Sequence, residues 1–213
     1  MHKLSSPTKR QIDAMSSYRQ LLDEAKIRIL SVQKLIERAT GLVDPISVDS
    51  AYLQLRMLCE LVALACLIAH GDVEAKMNNT QKKQYAADAI FKMLADIHPD
   101  FYLHPVECSR TLDGGLHLEP IKKGFLTKTE LIALYRYCGE KLHRGSLAKF
   151  RSTSPQSHAS DLQKISEWLS KFVLLLREHR IASIDGLSQY LCQITSDQAG
   201  GNALVSLAQA PQP

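Results

Sequence analysis

The chain has 213 residues, 45% of them hydrophobic and 23% charged, and a formal net charge of +4. That composition excludes disordered, fibrous and low-complexity classes and leaves enough apolar material for one large core. A pI near 8.8 permits an anionic partner but is weaker than the concentrated basic signature of a dedicated nucleic-acid domain.

Ser6-Pro7 reads as an N-cap with proline at the first helical position, after which Ile12, Met15, Leu22, Ala25, Ile29, Val32 and Ile36 recur at helical spacing until Gly41. Asp44-Pro45 breaks this helix. A second helix, about Ser47 to His70, is apolar nearly all round, the mark of an element packed on several sides, and Gly71 stops it. The third, roughly Thr80 to Ile97, places Ala86, Ala89, Ile90, Met93, Leu94 and Ile97 on one face and ends at His98-Pro99. From Phe101 to Phe125 the helical period disappears, and Asp113-Gly114-Gly115 between short apolar runs predicts a β-hairpin flanked by Pro105 and Pro120. Thr127, with Glu130 three residues later, forms a capping box opening a fourth helix that Gly145 closes. The polar loop "SLAKFRSTSPQSHAS" precedes a fifth helix, about Asp161 to His179, with Leu162, Ile165, Leu169, Phe172, Val173 and Leu176 facing inward. After Ser183-Ile184-Asp185-Gly186, "LSQYLCQI" and "ALVSLAQA" flank the turn signal "TSDQAGGN" and predict a second hairpin. The expected fold is mainly α, a helical bundle over residues 1–180 with a hairpin insert near 101–125 and a C-terminal β-hairpin appendage over 181–213.

Five cysteines, Cys59, Cys66, Cys108, Cys138 and Cys192, occur without a C-x-x-C pair, which suits free thiols in the cytoplasm better than a disulfide framework. Met1 to Lys9 has no apolar core for a signal peptide, and the greasiest run, Leu61 to Ala69, falls short of the ~20 residues a bilayer span needs, so no membrane partner is expected. His98, His104, Cys108 and His117 gather around the first hairpin without a recognised zinc spacing, so no metal is expected. The glycines form no phosphate-binding loop, so no nucleotide cofactor is expected either.

The fourth helix carries the most chemistry. At about 100° per residue, seven residues bring His143 back to within about 20° of Arg136, with Glu140 between them, while Leu131, Leu134, Tyr135, Cys138 and Leu142 form a core stripe roughly 130° away. The polar trio therefore occupies a shoulder that can line a cleft. A plainer reading of the same residues stands beside this one. Arg136 and Glu140 make an i,i+4 pair contributing ~0.2–0.5 kcal/mol, and His143 with Arg144 meets the negative end of the helix dipole.

Arg136, six intervening residues and His143 resemble the Arg, four-to-six, His signature of the HEPN superfamily, late in a helix as that family places it. "LRMLCELVALACLIAHGD", "HPDFY" and "CGEKLHRG" look like a bacterial branch of such proteins, and the resemblance spans roughly Ser47 to His179 in helical order. It implies a HEPN-like helical bundle in which Arg136 and His143 are the catalytic pair of a metal-independent endoribonuclease, in a composite cleft across a homodimer axis. Tyr137 stands where many members carry Asn, Asp or His. The residue types suit the chemistry, since imidazole can move the 2′-hydroxyl or leaving-group proton and guanidinium can offset charge on the phosphorane.

Glu140 is a candidate to orient the pair. Arg56 and Glu60, the only charges in the middle of the second helix, read as a self-satisfied bridge or as support for the cleft. Arg144, Lys149 and Arg151 could hold flanking RNA phosphates, or be solvated loop charge. Trp168 reads as core or dimer interface. Two functions follow. One is a HEPN-type ribonuclease with an RNA substrate and a cognate antitoxin-like protein partner, in a toxin–antitoxin or phage-defence setting. The other is a catalytically silent helical dimer that binds protein or RNA.

Overall fold

A computed structural model describes residues 6–38, 44–70, 86–112, 115–143, 155–182 and 188–209. Helix α1 (Lys9–Arg38) starts after Thr8, whose hydroxyl accepts from the Gln11 N–H at 3.2 Å, so Ser6-Pro7 precedes the helix instead of capping it. Helix α2 (Pro45–Ala69) opens earlier than Ser47. Asp44 caps it by accepting from the Ser47 N–H at 2.8 Å, and Pro45 sits in the first turn, where its missing N–H costs nothing.

α2 is the hub of the core, packing on α1, on α3 (Ala87–Ile97), on α4 (Lys128–Leu142) and on α5 (Pro155–Arg177). Its buried side chains, among them Leu55, Leu58, Cys59, Val62 and Cys66, explain the lack of a polar face. By length and composition α2 could cross a membrane, and its apolar stretch is longer than Leu61 to Ala69. Yet 56% of that stretch is buried inside the fold, as in the core helix of a soluble protein. The predicted start of α3 at Thr80 lies outside the described residues. α5 begins at Pro155, inside what reads as a polar loop.

The expected fold class, a mainly α bundle with two small separate hairpins, is corrected by the strands. β1 (His104–Arg110), β2 (Leu116–Pro120), β3 (Glu178–Ala182), β4 (Ser188–Gln193) and β5 (Leu204–Gln209) form one antiparallel sheet in the order β2-β1-β3-β4-β5. Among the described residues, helix accounts for 64% and strand for 17%. The difference originates at β3, made partly from residues expected to end the fifth helix. Beyond Arg177 the burial period drops to two, with His179 and Ile181 buried and Glu178, Arg180 and Ala182 turned outward. β3 pairs with β1 through His104↔Arg180 and Pro105↔His179, and with β4 from Glu178↔Gln193 to Ala182↔Gln189. Partners on both sides satisfy its backbone groups, which a frayed helix end would leave open.

The inner face of the sheet completes the helical core. His179 lies fully buried, with Nε2 2.8 Å from the Tyr18 hydroxyl of α1, and Asp23 of α1 accepts from the Ala203 N–H at 2.8 Å. Gly200 and Gly201, at φ 61° and 84°, make the left-handed turn before β5, a conformation that only glycine adopts freely.

Candidate functional site

Three anchors hold α4. At its start, the Thr127 hydroxyl accepts from the Glu130 N–H at 3.3 Å and Glu130 accepts from the Thr127 N–H at 2.9 Å, the expected capping box. The second carboxylate oxygen of Glu130 accepts from Lys171 of α5 at 2.5 Å. Burial would raise the Glu130 carboxyl, but the bonds from Lys171 and Thr127 outweigh it and hold it below its ordinary value.

The middle anchor is Arg56 of α2. It donates to the Tyr135 carbonyl at 3.1 Å and to the Tyr135 hydroxyl at 2.7 Å, and its guanidinium lies 3.9 Å from the centre of the Tyr135 ring. Glu60 stands 3.7 Å from Arg56 Nε. Gly139 permits this approach, because a Cβ there would lie 2.8 Å from Arg56 Nη1. The two mid-helix charges of α2 thus pair with each other and brace α4 from behind.

At the far end, Lys141 donates to both oxygens of Asp161, at 2.7 and 2.9 Å, and the Tyr52 hydroxyl donates to Asp161 at 2.9 Å. Tyr137 meets Tyr52 edge-on with ring centres 5.7 Å apart, and the Lys141 ammonium lies 5.5 Å from the centre of Tyr137. Burial, then bonding to Tyr137 and Asp161, pushes the Tyr52 phenol up. Burial opposes the Lys141 charge, but Asp161 prevails and raises the ammonium above its usual value. Sequence reasoning missed this cluster. Lys141 and Asp161 are distant in the chain, and no local pattern pairs them.

So braced, α4 turns Arg136, Glu140 and His143 outward, all three exposed. The Arg136 side chain is 66% exposed and reaches Asp88 of α3 at 3.5 Å. The helix ends at Leu142, not at Gly145, and His143 is its C-cap, with φ −86° and ψ 129°. Because φ places Cβ while ψ directs the onward chain, His143 keeps its helical position on the same ridge as Arg136. Gly145 and the RNA-binding candidates Arg144, Lys149 and Arg151 lie outside the described residues. The shoulder expected to line a cleft is therefore, among the described residues, an open ridge.

A groove flanks the ridge on either side. Between α3 and α4 a cavity of about 460 Å³ is lined by Asp88, Phe91, Lys92, Lys128, Ile132 and Arg136. Between α4 and α5 one of about 350 Å³ is lined by Tyr137, Lys164, Glu167, Trp168 and Lys171. Trp168 is half-buried, packing against the edge of the core while it lines this groove.

No protein-family model matches the chain, and no curated protein or solved structure matches it either.

A larger cavity, about 670 Å³, lies over the outer face of the sheet near Cys108, Arg110, Glu178, Gln193 and Asp197. Its chemistry is largely spent. Glu178 accepts from the Cys108 N–H at 3.0 Å and from the Gln193 amide at 2.7 Å, and burial, then Glu178, pushes the Cys108 thiol up and away from its nucleophilic form. The hairpin histidines disperse: His98 packs against His70, His104 lies 2.9 Å from Asp100, and His117 lies 3.5 Å from Glu119.

Proposed function

We propose that this protein is a metal-independent endoribonuclease of HEPN type that works as a homodimer. The observation that carries the reading is the presentation of Arg136 and His143 on one outward ridge of a helix braced along its length. Guanidinium supplies fixed positive charge for the phosphorane, and imidazole supplies proton transfer. Glu140, one turn from each, is placed to orient them. An open ridge excludes no water by itself. Two ridges facing across a two-fold axis double the charges and enclose the scissile phosphate. Ile27, Leu30, Ile46 and Leu53 on α1 and α2 are exposed apolar side chains of the kind a subunit interface covers.

All five cysteines are free, which fits the cytoplasm. A toxin–antitoxin or defence setting, with an antitoxin-like protein as regulator, belongs to the same reading. The competing reading is a catalytically silent dimer that binds protein or RNA. Tyr137 favours it, because the position next to Arg136 is occupied by a ring packed on Tyr52.

The test is direct. Purified protein should cut single-stranded RNA in the presence of EDTA, leave DNA intact for want of a 2′-hydroxyl, and release 2′,3′-cyclic phosphate ends. Cleavage that stops on chelation rules out the mechanism, and RNA that survives untouched leaves the silent dimer. Sedimentation at micromolar concentration should show a dimer; a monomer would remove the composite site.

A further inference from the structure

The groove between α4 and α5 has a composition that the cleavage chemistry does not use. Two aromatic rings, Tyr137 and Trp168, line it together with Lys164 and Lys171 and a single carboxylate, Glu167. Tyr137 is held from outside the groove, and Trp168 by a lysine of the groove wall itself. Tyr137 rests edge-on against Tyr52 under the Lys141 ammonium, and Lys171, tied to Glu130, lies 5.0 Å from the centre of Trp168. Lys164 is exposed and forms no ion pair with a described residue, so its charge is available to a ligand. Rigid rings beside a cation are what a nucleobase and its phosphate require. Stacking engages any base through its π-face while the ammonium meets the backbone. The volume, about 350 Å³, falls within the range of small-ligand sites.

We infer that the Tyr137–Trp168 groove is a base-stacking subsite for single-stranded RNA, holding a nucleotide next to the one whose phosphate lies on the Arg136/His143 ridge. The placement rests on the ribonuclease reading; the stacking chemistry does not. Tyr137 follows Arg136 directly and lies about 100° further round α4, so a strand crossing the ridge can turn one base into the groove. An aromatic side chain at that position would then serve binding in place of a polar group.

Trp168 is the only tryptophan of the chain, so its fluorescence reports this groove alone. The probe is 2′-O-methyl oligouridylate, which cannot be cleaved through its own 2′-oxygen, titrated into the full-length protein. The expected result is saturable quenching of Trp168 that weakens with salt. Tyr137→Leu should reduce affinity by about 10–100-fold, Tyr137→Phe should retain it, and Lys164→Ala should weaken it and flatten its salt dependence. Unchanged emission at high oligomer concentration overturns the proposal. So does equal affinity of wild type and Tyr137→Leu when both show the same circular dichroism. Emission that responds to protein concentration instead of to oligonucleotide also overturns it, since a second copy would then fill the groove. Quenching without cleavage of ordinary RNA keeps the subsite and sinks the nuclease; cleavage with a silent Trp168 does the reverse.

Discussion

Replacing His143 with alanine should slow metal-independent RNA cleavage by about 10²–10⁴-fold while leaving the melting temperature nearly unchanged. His143 is an exposed C-cap residue outside the hydrogen-bonded helix, so its removal opens no cavity and breaks no described bond. On the proposed ribonuclease reading, what disappears is the imidazole that would transfer the proton. Arg136→Ala should cost a similar factor, because on the same reading its charge would offset that of the phosphorane. Its contact with Asp88 is long and its side chain 66% exposed, so the stability loss stays below about 1 kcal/mol. Arg136→Lys should recover only part of the rate, since an ammonium restores charge without the planar fork that grips two phosphate oxygens. Single-turnover rates in EDTA, with thermal melts on the same samples, separate the possibilities. If all three variants cut as wild type does, the pair is a surface salt-bridge and capping feature.

Acid should destabilise the protein well before its carboxylates protonate, and His179 should be the main cause. The imidazole is fully buried between α1 and the sheet, with Nε2 on the Tyr18 hydroxyl at 2.8 Å. Its Nδ1 lies toward the Leu176 carbonyl without a full hydrogen bond. Burial drives its pKa from 6.5 to about 3. The unfolded chain therefore takes up a proton as pH falls through about 6.5, and the folded chain refuses it until about 3. Stability is complete above that window and falls within it by at most about 1.4 kcal/mol per pH unit. His70, also buried and lowered first by burial, acts in the same direction. Urea midpoints should drop between about pH 7 and about pH 4, and His179→Gln, which can still bond Tyr18 but cannot ionise, should flatten that drop. An equally steep acid limb in His179→Gln would assign the loss to other groups.

The fourth helix was the most legible part of the chain. Thr127 and Glu130 cap it as their spacing dictates, because a capping box is a contract between residues three apart. Arg136, Glu140 and His143 share a face for the same reason. The strand β3 was not legible. "REHRIAS" follows a strongly helical run, and two buried residues, His179 and Ile181, are too short an alternation to announce a strand. Nor could the sequence say that Arg56 reaches Tyr135, or that Lys141 reaches Asp161, contacts that join residues 79 and 20 positions apart.

The sequence by itself determined that five segments have helical cores, though not all their ends, where α4 is capped, that α2 belongs to a core, and which side chains share the outward face of α4. These properties follow from periodicities and caps that act within a turn or two of chain. Tertiary structure decided that the two hairpins join through β3 into one sheet, that the Arg136/His143 face is a ridge and not a cleft, and that Tyr137 and Trp168 line one groove. Those outcomes depend on which distant surfaces bury one another and which distant backbone groups pair, and a one-dimensional pattern carries no record of either.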